Sequence, residues 1–237
     1  MGDPLQLSAM GVQTPQFTRS RFTTSAPLNP NGTKHDIIVI GASAGGIPAL
    51  QRLFSVLPSD LPATVGVVLH RGTRASELAS VLARRSALPI IEPYKDELLR
   101  EGTIYLAPAD QHMVFHQRDV TLEHGPKEHH TRPAIDPLFR SAAAAYGVRV
   151  VGVLLSGCGQ DGVEGMIAVE DSGGICLTQD PKEAEMPSMP LNAIRYDHVS
   201  GVYIIDDLAK ALEALAKGQR VSGPSLANPG RHTSVVP

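Results

Sequence analysis

Asp36-Ile37-Ile38-Val39-Ile40-Gly41-Ala42-Ser43-Ala44-Gly45-Gly46 is the stretch that decides the fold. Its first half is a short, β-branched apolar run, the pattern of a parallel strand buried on both faces. Its second half is a glycine-rich turn with one serine at its centre. A side chain placed just past the carboxyl end of such a strand stands on the edge where open α/β sheets bind their ligands. Gly41-Ala42-Ser43-Ala44-Gly45 also fits Gly-x-Ser-x-Gly, the turn that presents a serine nucleophile. Taken alone, the turn has three readings: a nucleophile, a dinucleotide loop of the short-chain dehydrogenase kind, or a tight strand-to-helix turn whose serine caps the helix.

Working outward, strand-like runs recur at Ile37–Ile40, Thr64–Leu69, Ile104–Ala107, Val148–Leu155 and Gly174–Leu177. Helix-like runs lie between and after them, at Gly46–Val56, Ser76–Arg85, Asp136–Tyr146, Asp161–Asp171 and Asp206–Ala216. The alternation predicts an α/β fold with a mostly parallel, doubly wound sheet. His112–Leu122, broken by Gln117-Arg118-Asp119, reads as a hairpin added to that sheet. With 237 residues the chain suffices for one sizeable core. A net charge of −3 gives no general basic field for nucleic acid. The longest apolar runs are far too short for membrane insertion. Cys158 and Cys176 form no metal or disulfide pattern, which fits a reducing, cytoplasmic compartment. Residues 1–34 are rich in Pro, Ser, Thr and Gly and read as a disordered N-terminal tail, with 218–237 as a flexible C-terminal tail. The folded domain is expected at 35–217.

Three strand ends carry the chemistry. The first strand delivers Ser43. The second, Val65-Gly66-Val67-Val68-Leu69, ends at His70. A later one, Val150-Val151-Gly152-Val153-Leu154-Leu155, runs into Ser156-Gly157-Cys158-Gly159-Gln160-Asp161-Gly162. Together these supply a serine to attack, a histidine to take its proton and an aspartate to hold the imidazole. Gly157, Gly159 and Gly162 are expected to leave N–H groups open to a developing oxyanion. Each residue also has a plainer role: a histidine after a strand is usually a packing residue, Asp161 is a default helix cap, and Cys158 is more readily a turn residue than a nucleophile. His112, His116, His124, His129 and His130 lie on a hairpin and loop without cysteines or helical pairing, so no metal site is expected. It is the joint placement of Ser43, His70 and Asp161 that favours catalysis.

The dehydrogenase reading needs Tyr-x-x-x-Lys, and no tyrosine here has lysine four positions on. The α/β-hydrolase fold puts several strands before its nucleophile and orders its triad serine, acid, histidine. Here only 42 residues precede Ser43, and the histidine comes second.

With these residues in view, the chain resembles the catalytic domain of the chemotaxis protein-glutamate methylesterases, the CheB type. The resemblance spans about residues 35–215. It rests on Ile40-Gly41-Ala42-Ser43-Ala44-Gly45-Gly46, on His70, on Leu106-Ala107-Pro108-Ala109-Asp110-Gln111-His112-Met113 and on Arg132-Pro133-Ala134-Ile135-Asp136-Pro137-Leu138-Phe139. Leu155-Ser156-Gly157-Cys158-Gly159-Gln160-Asp161-Gly162 and Met189-Pro190 complete it. It implies a three-layer α/β/α sandwich around a seven-stranded sheet and a Ser43-His70-Asp161 triad. The reaction implied is hydrolysis of glutamate methyl esters on the cytoplasmic helices of chemoreceptors, with possible glutamine deamidation. No cofactor is implied. Ala44, Cys158, Gly159, His112, Arg132 and Met189 are the expected oxyanion or substrate-binding residues. The alternative is a catalytically weak module of the same fold that binds a related signalling protein.

Three departures from the family pattern stand out. Ala44 replaces a common threonine, Cys158 a common methionine, and Leu69-His70-Arg71 an expected Gln-His-Met. Residues 1–34 are also too few for the phosphorylatable receiver domain that usually precedes the catalytic domain, so activity independent of phosphorylation is expected.

Overall fold

The computed structural model describes residues 27–73, 77–196 and 198–221. Seven strands form one sheet: β1 (Ile37–Ala42), β2 (Thr64–Leu69), β3 (Ile90–Ile91), β5 (Thr103–Leu106), β8 (Val150–Leu154), β9 (Ile175–Gln179) and β10 (Gly201–Tyr203). Their order is β10-β9-β8-β1-β2-β5-β3, and every neighbouring pair is parallel. β1 lies at the centre because its Ile37-Ile38-Val39-Ile40 run has no polar face. Ile38 and Ile40 join one buried cluster while Ile37 and Val39 join the other, as period-two alternation requires of a strand covered on both sides.

Helices complete the layers. α1 (Gly46–Val56) and α6 (Ile205–Ala216) pack on one face with α2 (Leu78–Ala83). In α6 the buried Leu208, Ala211, Leu212 and Leu215 recur at helical spacing, which gives a single apolar stripe. α3 (Ile135–Tyr146), α4 (Val163–Asp171) and α5 (Ser188–Arg195) cover the other face, where Leu138, Phe139, Met166 and Met189 are fully buried. Each such side chain contributes about 1.5–3 kcal/mol by leaving water. The doubly wound sandwich expected from the sequence is therefore present. From β1 the chain proceeds outward through β2 to β5, and later returns on the opposite side through β8, β9 and β10. β1 and β8 thus flank the topological switch point, the crevice where such sheets build their sites.

Several elements differ from the sequence expectation. The hairpin β6 (His112–Phe115) and β7 (Asp119–Glu123) does not join the main sheet. It pairs with β4 (Glu97–Leu98) in a separate three-stranded antiparallel sheet, because Met113, Phe115 and Val120 turn into the core on the α3 side. The run expected as one strand at Val148–Leu155 begins with a 3₁₀ turn at Gly147–Arg149. Helix α5 and the short strands β3, β4 and β10 were not apparent. Packed structure also extends past 35–217: Leu28 and Val221 exchange backbone hydrogen bonds of 2.8 and 3.1 Å, and the Asn29 side chain bonds Thr33 and Gln219. Most of the two expected tails, 1–26 and 222–237, lies outside the described residues, as does Ser76 of the expected second helix. Among the described residues, no helix is long and apolar enough to cross a membrane.

Candidate active site

β1 ends at Ala42, and Ser43 follows at the carboxyl edge of the sheet. Its backbone is fixed on both sides: Ser43 N–H donates to the Ser156 carbonyl at 3.0 Å, and its own carbonyl accepts Gly46 N–H at 2.9 Å. The turn needs glycine at 45, where φ is +72° and a Cβ would fall 2.5 Å from Ser156 Oγ. Gly157 is equally constrained from the other side. A Cβ there would come within 2.9 Å of Ser43 Cβ and 2.8 Å of Met189 Cε. The loop after β8 can therefore close against Ser43 only without a side chain at 157. Buried Ser156 ties the two loops together, with its Oγ donating to the Ala44 carbonyl at 2.8 Å and accepting Met186 N–H at 2.9 Å.

His70 continues β2 beside Ser43, its N–H donating to the Ala42 carbonyl at 3.0 Å. Arg71 clamps the loop that follows: its guanidinium bonds the Ala107 carbonyl at 2.5 Å and pairs with Glu92 at 2.8 Å. Asp161 lies just ahead of α4 and is buried.

The three side chains meet. His70 Nδ1 lies 3.2 Å from Ser43 Oγ, and His70 Nε2 lies 2.7 Å from Asp161 Oδ2. With the proton on Nε2 donated to Asp161, Nδ1 keeps a lone pair facing the serine hydroxyl. Asp161 Oδ2 also accepts Ile135 N–H at 2.8 Å, and Oδ1 accepts Asp136 N–H at 3.0 Å. Burial alone would push this carboxyl up. The His70 hydrogen bond and the two amides outweigh burial and hold it below the ordinary aspartate range. Asp161 is thus an anion fixed in orientation, the form that stabilises a neighbouring imidazolium.

Of the three glycine N–H groups expected to face an oxyanion, two are engaged: Gly157 N–H donates to the Met186 carbonyl, and Gly162 N–H to Asp136 Oδ1. Among the described residues, the N–H groups of Ala44, Cys158 and Gly159 have no hydrogen-bond partner. Cys158 and Gly159 are exposed, and Gly159 is held by Asn192 Nδ2, which donates to its carbonyl at 2.7 Å.

The remaining expected binding residues are held by their neighbours. His112 is buried, with Nε2 donating to the Pro126 carbonyl at 2.9 Å and Nδ1 accepting Ala134 N–H at 3.2 Å, so both nitrogens are occupied. Arg132 holds Asp110 through Nε and Nη2, and the Gly125 carbonyl through Nη1. Met189 is wholly buried behind Gly157. Of the other histidines in this segment, His116 bonds Thr121, His124 bonds Asp110 and His129 bonds Asp136.

Sequence reasoning missed two contributors. Thr131 Oγ1 sits 3.4 Å from His70 Nε2 and 3.5 Å from Asp161 Oδ2. Asp136 is completely buried directly beside Asp161, and its carboxylate accepts N–H groups from Gly162 and Gly165 and Nε2–H from His129. The visible signal for Asp136 was an acid at the start of an apolar helix, which equally describes an exposed first-turn aspartate. His129, Asp136 and Asp161 also bring one ligand atom each within 4.8 Å of one another, but both Asp161 oxygens and Asp136 Oδ1 already accept amide N–H groups, and Asp136 Oδ2 accepts from the His129 ring.

The chain is similar to known proteins in sequence and in fold. A family model described as CheB methylesterase matches residues 38–212. The chain is 37% identical over 183 residues to protein-glutamate methylesterase/protein-glutamine glutaminase 2 of Anaeromyxobacter dehalogenans, covering 77% of this chain and 54% of that protein. It is 32% identical over 179 residues to a putative protein-glutamate methylesterase/protein-glutamine glutaminase of Leptospira interrogans, covering 74% of this chain and 92% of that one. The chain therefore spans about half the length of the first relative and nearly all of the second. Among solved structures, the CheB methylesterase catalytic domain of Thermotoga maritima superposes with a TM-score of 0.74 at 29% identity, over 77% of this chain and 100% of that one.

Proposed function

This chain belongs to the CheB methylesterase family, and on that premise we propose that it is a protein-glutamate methylesterase in which Ser43, His70 and Asp161 form the catalytic triad. The observation that carries the reading is the continuous chain of hydrogen bonds from Ser43 Oγ through the His70 ring to the buried Asp161 carboxylate.

Ser43 Oγ attacks the ester carbonyl while His70 Nδ1 takes its proton. Asp161 stabilises the resulting imidazolium without itself taking the proton. The N–H groups of Ala44, Cys158 and Gly159, which have no partner among the described residues, are the donors assigned to the oxyanion. The imidazolium then protonates departing methanol, which leaves an acyl-serine. Water, deprotonated by His70, attacks the acyl carbon, releases the glutamate carboxylate and restores Ser43. A side-chain amide enters the same cycle with ammonia as the leaving group, which extends the reading to glutamine deamidation. Loss of the threonine and methionine side chains expected at Ala44 and Cys158 leaves the backbone donors intact.

The substrate is a methylated glutamate on a chemoreceptor helix. Incubation of the purified chain with a methyl-labelled receptor fragment tests the reading. Labelled methanol is released by the wild type and not by Ser43→Ala. Absence of release from both, with the fragment intact, refutes the substrate assignment.

A further inference from the structure

Behind Asp161 lies a second buried acid with an arrangement of its own. Asp136 is the second residue of α3, and Asp161 lies two residues before α4. Each aspartate caps the other's helix. Asp161 receives Ile135 N–H and Asp136 N–H from α3, at 2.8 and 3.0 Å. Asp136 Oδ1 receives N–H groups from Gly162, just before α4, and from Gly165 within it, at 3.0 and 2.6 Å. Helix N-termini carry partial positive charge, so each carboxylate is drawn to the start of the other's helix. Here the exchange fixes the turn Gln160-Asp161-Gly162 from both directions.

Asp136 is also connected to solvent. Its Oδ2 accepts Nε2–H of His129 at 2.9 Å, and the His129 side chain is 37% exposed. His129 and His130 both have positive φ, 48° and 64°, in a turn closed by reciprocal Glu128–Thr131 backbone hydrogen bonds. An exposed imidazole is thus in line with a buried acid, which adjoins Asp161 and, through it, His70.

We propose that Asp136, with His129 behind it, is a positioning residue for the hydrolytic triad: its carboxylate holds the turn that carries Asp161, and its negative charge adds to that of Asp161 in favouring the imidazolium that His70 becomes during the reaction. The proposal rests on the triad reading above. The charged groups around Asp136 are Asp161 on the α4 side, His129 on the preceding loop, and Arg140 on α3, which pairs with Glu128 and approaches Glu164 of α4. Burial first, and the Asp161 charge second, push the Asp136 carboxyl up to about 6, so the two acids do sense one another.

The test is the pH dependence of Ser43 labelling by a fluorophosphonate, measured on the full 237-residue chain. The labelling rate follows deprotonation of His70 and needs no assumption about the natural substrate. Asp136→Asn keeps the shape and an oxygen for the Gly162 and Gly165 amides but removes the charge. It shifts the acid limb to lower pH by about half a unit or more and lowers the plateau rate about tenfold. His129→Gln removes a group able to carry positive charge, and it shifts the limb the opposite way. A role in packing alone would lower rates at every pH and leave both midpoints in place, which would overturn the proposal. Should Asp136→Asn fail to fold, the half-exposed His129→Gln decides by its own midpoint. A wild type that labels at Ser43 while both variants keep its midpoint refutes the positioning role only. A wild type that takes no label at Ser43 refutes the triad reading and this proposal with it.

Discussion

Replacing Asp136 by asparagine should make the protein more stable near neutral pH while making it a poorer catalyst. Asp136 is fully buried, and its carboxyl is raised from 3.8 to about 6 by burial and by the charge on Asp161. A pKa raised on folding means that the native state binds the proton more tightly than the unfolded chain does. Below pH 3.8 both states are protonated and nothing is lost. As pH rises towards 6 the unfolded chain ionises first, and stability falls. Above 6 the native state must hold a buried anion, and the full cost applies. At about 1.4 kcal/mol per pKa unit, a rise of roughly two units amounts to about 3 kcal/mol. Asparagine never ionises, so it avoids this cost and still offers an oxygen to the Gly162 and Gly165 amides. Urea unfolding at pH 4, 5, 6 and 7.5 reads the difference. The variant should match the wild type at pH 4 and gain with each step, to a limit of about 3 kcal/mol at pH 7.5, or about 2–4 °C in melting temperature per kcal/mol. A variant less stable than wild type by the same amount at every pH would refute the argument, because it would show that Asp136 acts by hydrogen-bond geometry alone. A site that sacrifices stability to hold a charge near the reacting groups is a familiar form of trade-off.

Other outcomes follow from the same geometry. Asp161 behaves in the opposite sense: its carboxyl is lowered, so it contributes stability above the ordinary aspartate range, and that stability is lost as pH falls through its folded value, which acid titration of wild type against Asp161→Asn will show. His70→Ala and Asp161→Ala should each lower turnover by several orders of magnitude, and the double variant should be little worse than His70→Ala, as kinetics of all three will determine. Gly157→Ala should abolish most activity with a modest loss of stability, since its methyl group must displace Ser43 or Met189, and crystallography of the variant should find one of them moved. Extensive chelation should leave turnover unchanged if His70 is the base, as proposed; loss on chelation, restored by zinc, would direct attention to His129, Asp136 and Asp161.

The parts of this molecule that were legible in its sequence are those governed by local chemistry. The uniform Ile/Val run of β1 and the Val65–Leu69 run of β2 have no polar face, so they had to be central strands, and α1 and α6 show their apolar stripes openly. The partnership of Ser43, His70 and Asp161 was legible because all three follow strands, and a parallel sheet brings strand ends to one edge. What stayed hidden depends on long-range contacts. Strands β3 and β4 are two residues each, too short for any periodicity. Helix α5 begins in a Pro-Ser-Met-Pro segment that reads as a loop, yet it is a helix whose Met189 and Ala193 pack into the core. The hairpin was visible but its partner was not, since β4 lies in a charged segment around Glu97. The hydrogen bonds of His112 and Arg132 to Pro126, Ala134, Asp110 and Gly125 were hidden because nothing local to those residues reveals them. Asp136 was concealed in the same way, its partners lying 25 to 29 residues further along the chain.

The central claim is that Ser43 is a nucleophile activated by His70. The most direct measurement is treatment of the purified chain with a fluorophosphonate, followed by peptide mass spectrometry and an assay of methanol release from methylated receptor on the same sample. The account predicts a label on Ser43, methanol release falling in proportion to labelling, and no label on the His70→Ala variant under the same conditions. A fully labelled protein that still releases methanol, or a label on a different residue that abolishes release, would contradict it.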